Sequence, residues 1–123
     1  MNKRAIAAII LAAGHGTRMN SSTPKVLHAI GGRSMLAHVM AAATELSPAR
    51  LSVVIGSQAP EVGEAVRAIR PDAAIAVQDP PRGTGDAVRQ AAPALAGFSG
   101  TALVLYADTP LVTAATLRAL VDK

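Results

Sequence analysis

Four short apolar runs, each followed by an amphipathic stretch, constrain this chain more than any other feature. They are "AIAAIILAA" (5–13), "LSVVIG" (51–56), "AAIAVQ" (73–78) and "TALVLYAD" (101–108). Continuous runs of this length, closed by a glycine or a polar residue, suit strands buried on both faces. Between them lie segments with helical spacing. In "SMLAHVMAAATEL" (34–46), Met35, Leu36, Val39, Met40, Ala43 and Leu46 share one side, and Ser34 is placed to cap the start. "PEVGEAVRAIR" (60–70) gathers Val62, Ala65, Val66 and Ile69 on one face, with Pro60 in its first turn. "GTGDAVRQAAPALA" (83–96) starts with glycines and turns helical until Pro93 bends or ends it. "TAATLRALVDK" (113–123) begins a last helix, with Thr113 as its cap.

The order is therefore β-α-β-α-β-α-β-α. It predicts an α/β domain of Rossmann-like type, a mostly parallel sheet flanked by helices and joined by right-handed crossovers. Composition agrees. Half of the 123 residues are hydrophobic, yet there is one Phe, one Tyr and no Trp. The core must be aliphatic, as buried parallel sheets are. The last helix stops at Lys123 after about three turns, so the expectation is that residues 1–123 form the first part of a longer domain.

Composition also narrows the partners. The net charge is +4, from 12 basic and 8 acidic residues with no run of five or more like charges. That suits a solvated basic surface or a small anionic substrate. Without aromatic stacking residues or a basic stripe, nucleic acid is not expected. The absence of cysteine removes disulfides and thiolate metal sites. No apolar stretch reaches the roughly 18 residues of a membrane span. "MNKR" before "AIAAIILAAG" has the outline of a secretory leader. The regular alternation outweighs it, because the first run is the natural central strand and the following helix needs that partner. A cytoplasmic location is expected.

In open α/β sheets, ligands bind beyond the carboxyl ends of the strands. Three polar signals fall there: "GHGTRMNSSTPK" after the first strand, Gln78 and "GTG" after the third, and "YAD" ending the fourth. In the first loop, Gly14 and Gly16 let backbone N–H groups approach an anion. Thr17 offers a hydroxyl, Arg18 a planar fork for phosphate oxygens, and Lys25 a compact charge behind Pro24. Two cations flanking a glycine turn suit a triphosphate. The loop is neither a Walker motif nor a dinucleotide fingerprint, whose third glycine is replaced by Met19. On spacing alone, a structural turn with solvated Arg and Lys remains open. Asp108, at the sheet edge, either holds Mg²⁺ on a phosphate substrate or takes part in the "DTP" turn. Tyr106 lines a pocket or fills the core. His15, His28 and His38 lack the spacing of a helical metal pair.

Taken together, "LAAGHGTRM", "PKVLH", "SMLAHV" and "GTGDA" resemble the signature of the sugar-nucleotide pyrophosphorylases. The likeness is strongest to the bacterial bifunctional N-acetylglucosamine-1-phosphate uridylyltransferases that also carry a glucosamine-1-phosphate acetyltransferase. It covers the whole chain but only the first part of such an enzyme, and the chain holds no hexapeptide repeat of the acetyltransferase β-helix. The resemblance implies a role for each matching position. Leu11, Ala12, Ala13 and Gly14 would contact uracil and ribose through backbone groups. Arg18 and Lys25 would act in catalysis by neutralising the triphosphate. Gln78, Gly83 and Thr84 would read the uracil edge. Tyr106 and Ala107 would border sugar and nucleotide, and Asp108 would bind Mg²⁺. The implied substrates are UTP and a sugar 1-phosphate, and full-length relatives are expected to be homo-oligomers. Two positions depart from the family pattern. Ala107 stands where Gly usually precedes the metal Asp, and Pro80, Pro81 and Arg82 stand where a second Gln is common. The alternatives are a nucleotidyltransferase for another sugar phosphate or for the molybdenum cofactor, and a nucleotide-binding module without catalysis.

Overall fold

The computed structural model describes residues 6–12, 25–27, 29–30, 32–56, 60–78, 84–98 and 100–107. Element order follows the sequence pattern. Strand β1 (Ile6–Leu11) leads to a 3-10 turn at Lys25–Leu27 and a small hairpin of β2 (Ala29–Ile30) and β3 (Arg33–Ser34). Then come α1 (Met35–Thr44), β4 (Arg50–Gly56), α2 (Pro60–Ile69), β5 (Ala74–Gln78), α3 (Thr84–Ala91) and β6 (Thr101–Tyr106). The expected last helix, with Thr113 at its start, lies outside the described residues.

The four long strands form one parallel sheet in the order β5-β4-β1-β6. As expected, the first apolar run is an inner strand, paired with β4 on one side and β6 on the other. Its residues Ala7, Ala8, Ile9 and Ile10 are completely buried. A strand covered on both faces needs apolar side chains in both directions, which explains the unbroken run. Each fully buried Ile contributes about 1.5–3 kcal/mol by leaving water.

Register sorts the side chains into two layers. Ala8, Ile10, Val53 and Ile55 face α1 and α2, whose Leu36, Val39, Met40, Val62 and Val66 complete the larger core. Ile9, Leu11 and Val54 face α3 and pack on Ala87 and Ala91. Helix α2 approaches β4 closely at Gly63, where a Cβ would stand 3.1 Å from Ile55 Cδ1.

The helix ends follow local chemistry. Ser34 caps α1, its Oγ accepting the N–H of Ala37 at 3.0 Å. Pro60 opens α2, where its missing N–H costs no hydrogen bond. Pro93 ends α3 as expected: the chain tightens into a 3-10 turn at Ala92–Leu95. Between α2 and β5, Arg70 clasps Asp72 with two hydrogen bonds, at 2.7 and 3.2 Å. That contact holds the Asp72 carboxyl below its ordinary range.

Three details depart from the sequence reading. The β2–β3 hairpin was not anticipated; its turn uses Gly32 at φ 88°, a conformation other residues rarely adopt. Ile69, assigned to the apolar face of its helix, is 39% exposed at the end of α2. The fourth strand ends at Tyr106 rather than at Asp108.

Candidate nucleotide site

The carboxyl ends of the strands bring several expected residues into one row. Leu11 is in register with Tyr106 on β6 and with Val54 on β4, and Gly56 is in register with Gln78 on β5. The ladder continues one residue past β1 on both sides. The Ala12 N–H donates to the Val54 carbonyl at 2.8 Å, and the Ala107 N–H donates to the Leu11 carbonyl at 3.0 Å. The backbone leaving β1 is thus fixed to both neighbours. Leu11, Ala12, Tyr106, Ala107 and Gln78 all stand at this edge; Gln78, Tyr106 and Ala107 were expected there from the topology of open sheets, Leu11 and Ala12 from the resemblance.

Register also separates two adjacent residues by face. Tyr106 shares the α3 side of the sheet with Leu11, and it is 47% exposed. It belongs to neither core cluster of the described residues. Ala107 points the other way, completely buried in the larger core. Its methyl group is part of that core.

Gln78 is only 2% exposed, an uncommon setting for a primary amide. Its Nε2 donates to Asp86 Oδ2 at 2.9 Å. Asp86 belongs to the first turn of α3. Sequence reading quoted Asp86 inside "GTGDA" without giving it a role. The available signal was an acid one turn into a helix that follows a strand-ending Gln.

Lys25 begins the 3-10 turn whose Val26 is buried in the larger core beside α1, and Thr84 begins α3. Ala13, Gly14, Gly16, Thr17, Arg18, Gly83 and Asp108 lie outside the described residues, as do the side chains of Lys25 and Thr84. Among the described residues, no three His, Asp or Glu side chains gather as a metal site, and no helix is long and apolar enough to cross a membrane.

A parallel sheet with an inner first strand, and with Gln78 and Tyr106 at its carboxyl edge, is an open α/β domain of the kind that binds ligands beyond that edge. The chain belongs to the MobA-like NTP transferase domain family, whose model matches residues 8–123. It is 55% identical over 118 residues to the bifunctional protein GlmU of Sphingopyxis alaskensis, covering 96% of this chain and 26% of that protein. It is 58% identical over 114 residues to the GlmU of Cupriavidus pinatubonensis, covering 93% of this chain and 24% of that protein. The chain spans about a quarter of the length of these curated relatives. Among solved structures it resembles a nucleotidyl transferase from Methanothermobacter, with a TM-score of 0.75, 25% identity, and coverage of 96% of this chain and 57% of that one. It also resembles Rv0371c from Mycobacterium tuberculosis, with a TM-score of 0.72, 27% identity, and coverage of 99% and 61%.

Proposed function

We propose that this chain is the nucleotide-binding part of an enzyme that makes UDP-N-acetylglucosamine and pyrophosphate from UTP and N-acetylglucosamine 1-phosphate. The observation that carries the reading is the coincidence of two things on one sheet edge. Leu11, Ala12, Gln78, Tyr106 and Ala107 are gathered there by register. These same positions lie within the segment that is more than half identical to GlmU proteins.

In this reading a phosphate oxygen of the sugar 1-phosphate attacks the α-phosphorus of UTP. A new P–O bond forms, the bond to the β-phosphate breaks, and pyrophosphate leaves with that electron pair. No protein nucleophile is required, so positioning and charge neutralisation supply the catalysis. Arg18 and Lys25 neutralise the triphosphate, helped by Gly14, Gly16 and Thr17. Gln78, Gly83 and Thr84 meet the base. Asp108, directly after the anchored Ala107, offers the hard oxygen donor that Mg²⁺ prefers. Magnesium, a cytoplasmic setting and a homo-oligomeric full-length protein belong to the same reading.

The test is pyrophosphate release by the full-length protein across a panel of nucleoside triphosphates and sugar phosphates. UTP with N-acetylglucosamine 1-phosphate should be the preferred pair, and Asp108→Ala should abolish the Mg²⁺-dependent rate. A clear preference for another pair would replace the substrate assignment. Undiminished turnover in Asp108→Ala would remove the metal role.

A further inference from the structure

We propose that Asp86 is a positioning residue that fixes the Gln78 carboxamide in one orientation and thereby sets which pyrimidine the site prefers. The inference rests on the reading of Gln78 as a base contact, and it adds a residue to which no role has been assigned.

A carboxamide has two faces of nearly equal shape, an oxygen that accepts and a nitrogen that donates. Rotated by half a turn, it presents the opposite pattern. That matters here because uracil and cytosine are opposites on the edge in question. Uracil offers an N3–H donor beside an O4 acceptor, whereas cytosine offers an N3 acceptor beside an N4–H donor. A freely rotating glutamine satisfies either base.

Gln78 does not have that freedom. An ionised carboxylate only accepts, so the group facing Asp86 must be the amide nitrogen. The 2.9 Å contact from Nε2 to Asp86 Oδ2 therefore selects one of the two orientations. Burial strengthens the selection. At 2% exposure, turning the oxygen toward the carboxylate would oppose two acceptors with little water to separate them. Such a charge-assisted hydrogen bond is also among the stronger ones available. Both partners are held by regular structure: Gln78 ends β5, in register with Gly56, and Asp86 lies in the first turn of α3. Helix α3 is itself seated on the sheet through Ala87, the residue next to Asp86, and Ala91. The orientation is thus set before any nucleotide arrives.

The test uses the full-length protein and two substitutions of similar size. Asp86→Asn replaces the carboxylate with a group that can accept or donate, so position 86 no longer selects one rotamer of Gln78. Asp86→Glu restores a carboxylate. Affinities for UTP and CTP, each with Mg²⁺, are measured by calorimetry. Kinetic constants are measured in parallel, and thermal melts verify folding. The expected result is a fall of at least tenfold in the UTP-to-CTP affinity ratio for Asp86→Asn, carried by KM with kcat nearly unchanged. Asp86→Glu should recover most of the ratio. In the amide spectrum of the protein, the Gln78 side-chain resonances should lose their protection from exchange in Asp86→Asn. An unchanged ratio in a folded Asp86→Asn protein overturns the positioning role. The wild-type preference tests the underlying reading separately. If wild type prefers CTP and Asp86→Asn moves the ratio toward unity, the substrate assignment fails and the positioning role stands. If wild type shows no preference, both fail.

Discussion

Ser52 provides a sharp quantitative test of how the sheet is packed. It lies in the middle of β4, in register with Ile9 on β1 and Ala74 on β5, and it is completely buried. Its Oγ has no hydrogen-bond partner among the described residues. A buried hydroxyl left without a partner costs about 1–3 kcal/mol on protein mutational scales. Ser52→Ala removes that cost and leaves a void of one oxygen atom. At about 24 cal/mol per Å³, a void of roughly a dozen Å³ costs about 0.3 kcal/mol. The net expectation is a gain of about 1 kcal/mol, or about 3–5 °C in Tm for a domain of this size. Urea denaturation reads the change as a higher midpoint with the slope m unchanged. Ser52→Thr serves as the control: it keeps the hydroxyl and forces a methyl into filled space, which should cost about 1–3 kcal/mol. A loss of stability in Ser52→Ala would refute the reasoning, because it would mean that the hydroxyl is bonded in the native protein.

Two further outcomes follow from local contacts. Ser34→Ala removes the oxygen that accepts the Ala37 N–H, so it should lower stability by about 1 kcal/mol; an unmoved denaturation midpoint would count against the cap. For Asp72, the Arg70 contact lowers the folded pKa below the ordinary value of 3.8. A depressed carboxyl pKa stabilises above the unfolded value, and that contribution is lost as pH falls through the folded value. The difference between wild type and Asp72→Asn should therefore shrink when denaturation is repeated from pH 6 down to pH 3. The pair is exposed, so the effect is small and weakened by salt. A difference constant with pH would show that the ion pair is not its source.

Much of the fold was legible because burial on both faces leaves an unmistakable trace. "AIAAIILAA" and "LSVVIG" read as strands since, Ser52 aside, no polar side chain interrupts them, whichever way each residue points. Chemistry at the ends was legible too: Ser34 and Pro93 act through their own backbone and side-chain atoms. The hairpin at Ala29–Ile30 and Arg33–Ser34 escaped because two-residue strands carry no periodicity. Ile69 misled because helical spacing does not reveal where the sheet beneath a helix ends. Of the site, the edge was legible from topology, while the orientation of its side chains was not. The buried bond from Gln78 to Asp86 joins residues eight positions apart through the packing of α3 on β5, and no spacing rule encodes it. The split between Tyr106 and Ala107 required the register of β6 against β1.

That register has a consequence for how such a protein can be altered. On one side of residues 13–24, Ala12 is tied to Val54, and Ala107 to Leu11; on the other, Val26 is sunk beside α1. Both moorings belong to the sheet and its helices. The intervening stretch can be treated as a cassette. Exchanging it for that of a relative with different substrates should leave the chassis in place and change only what the front of the domain receives.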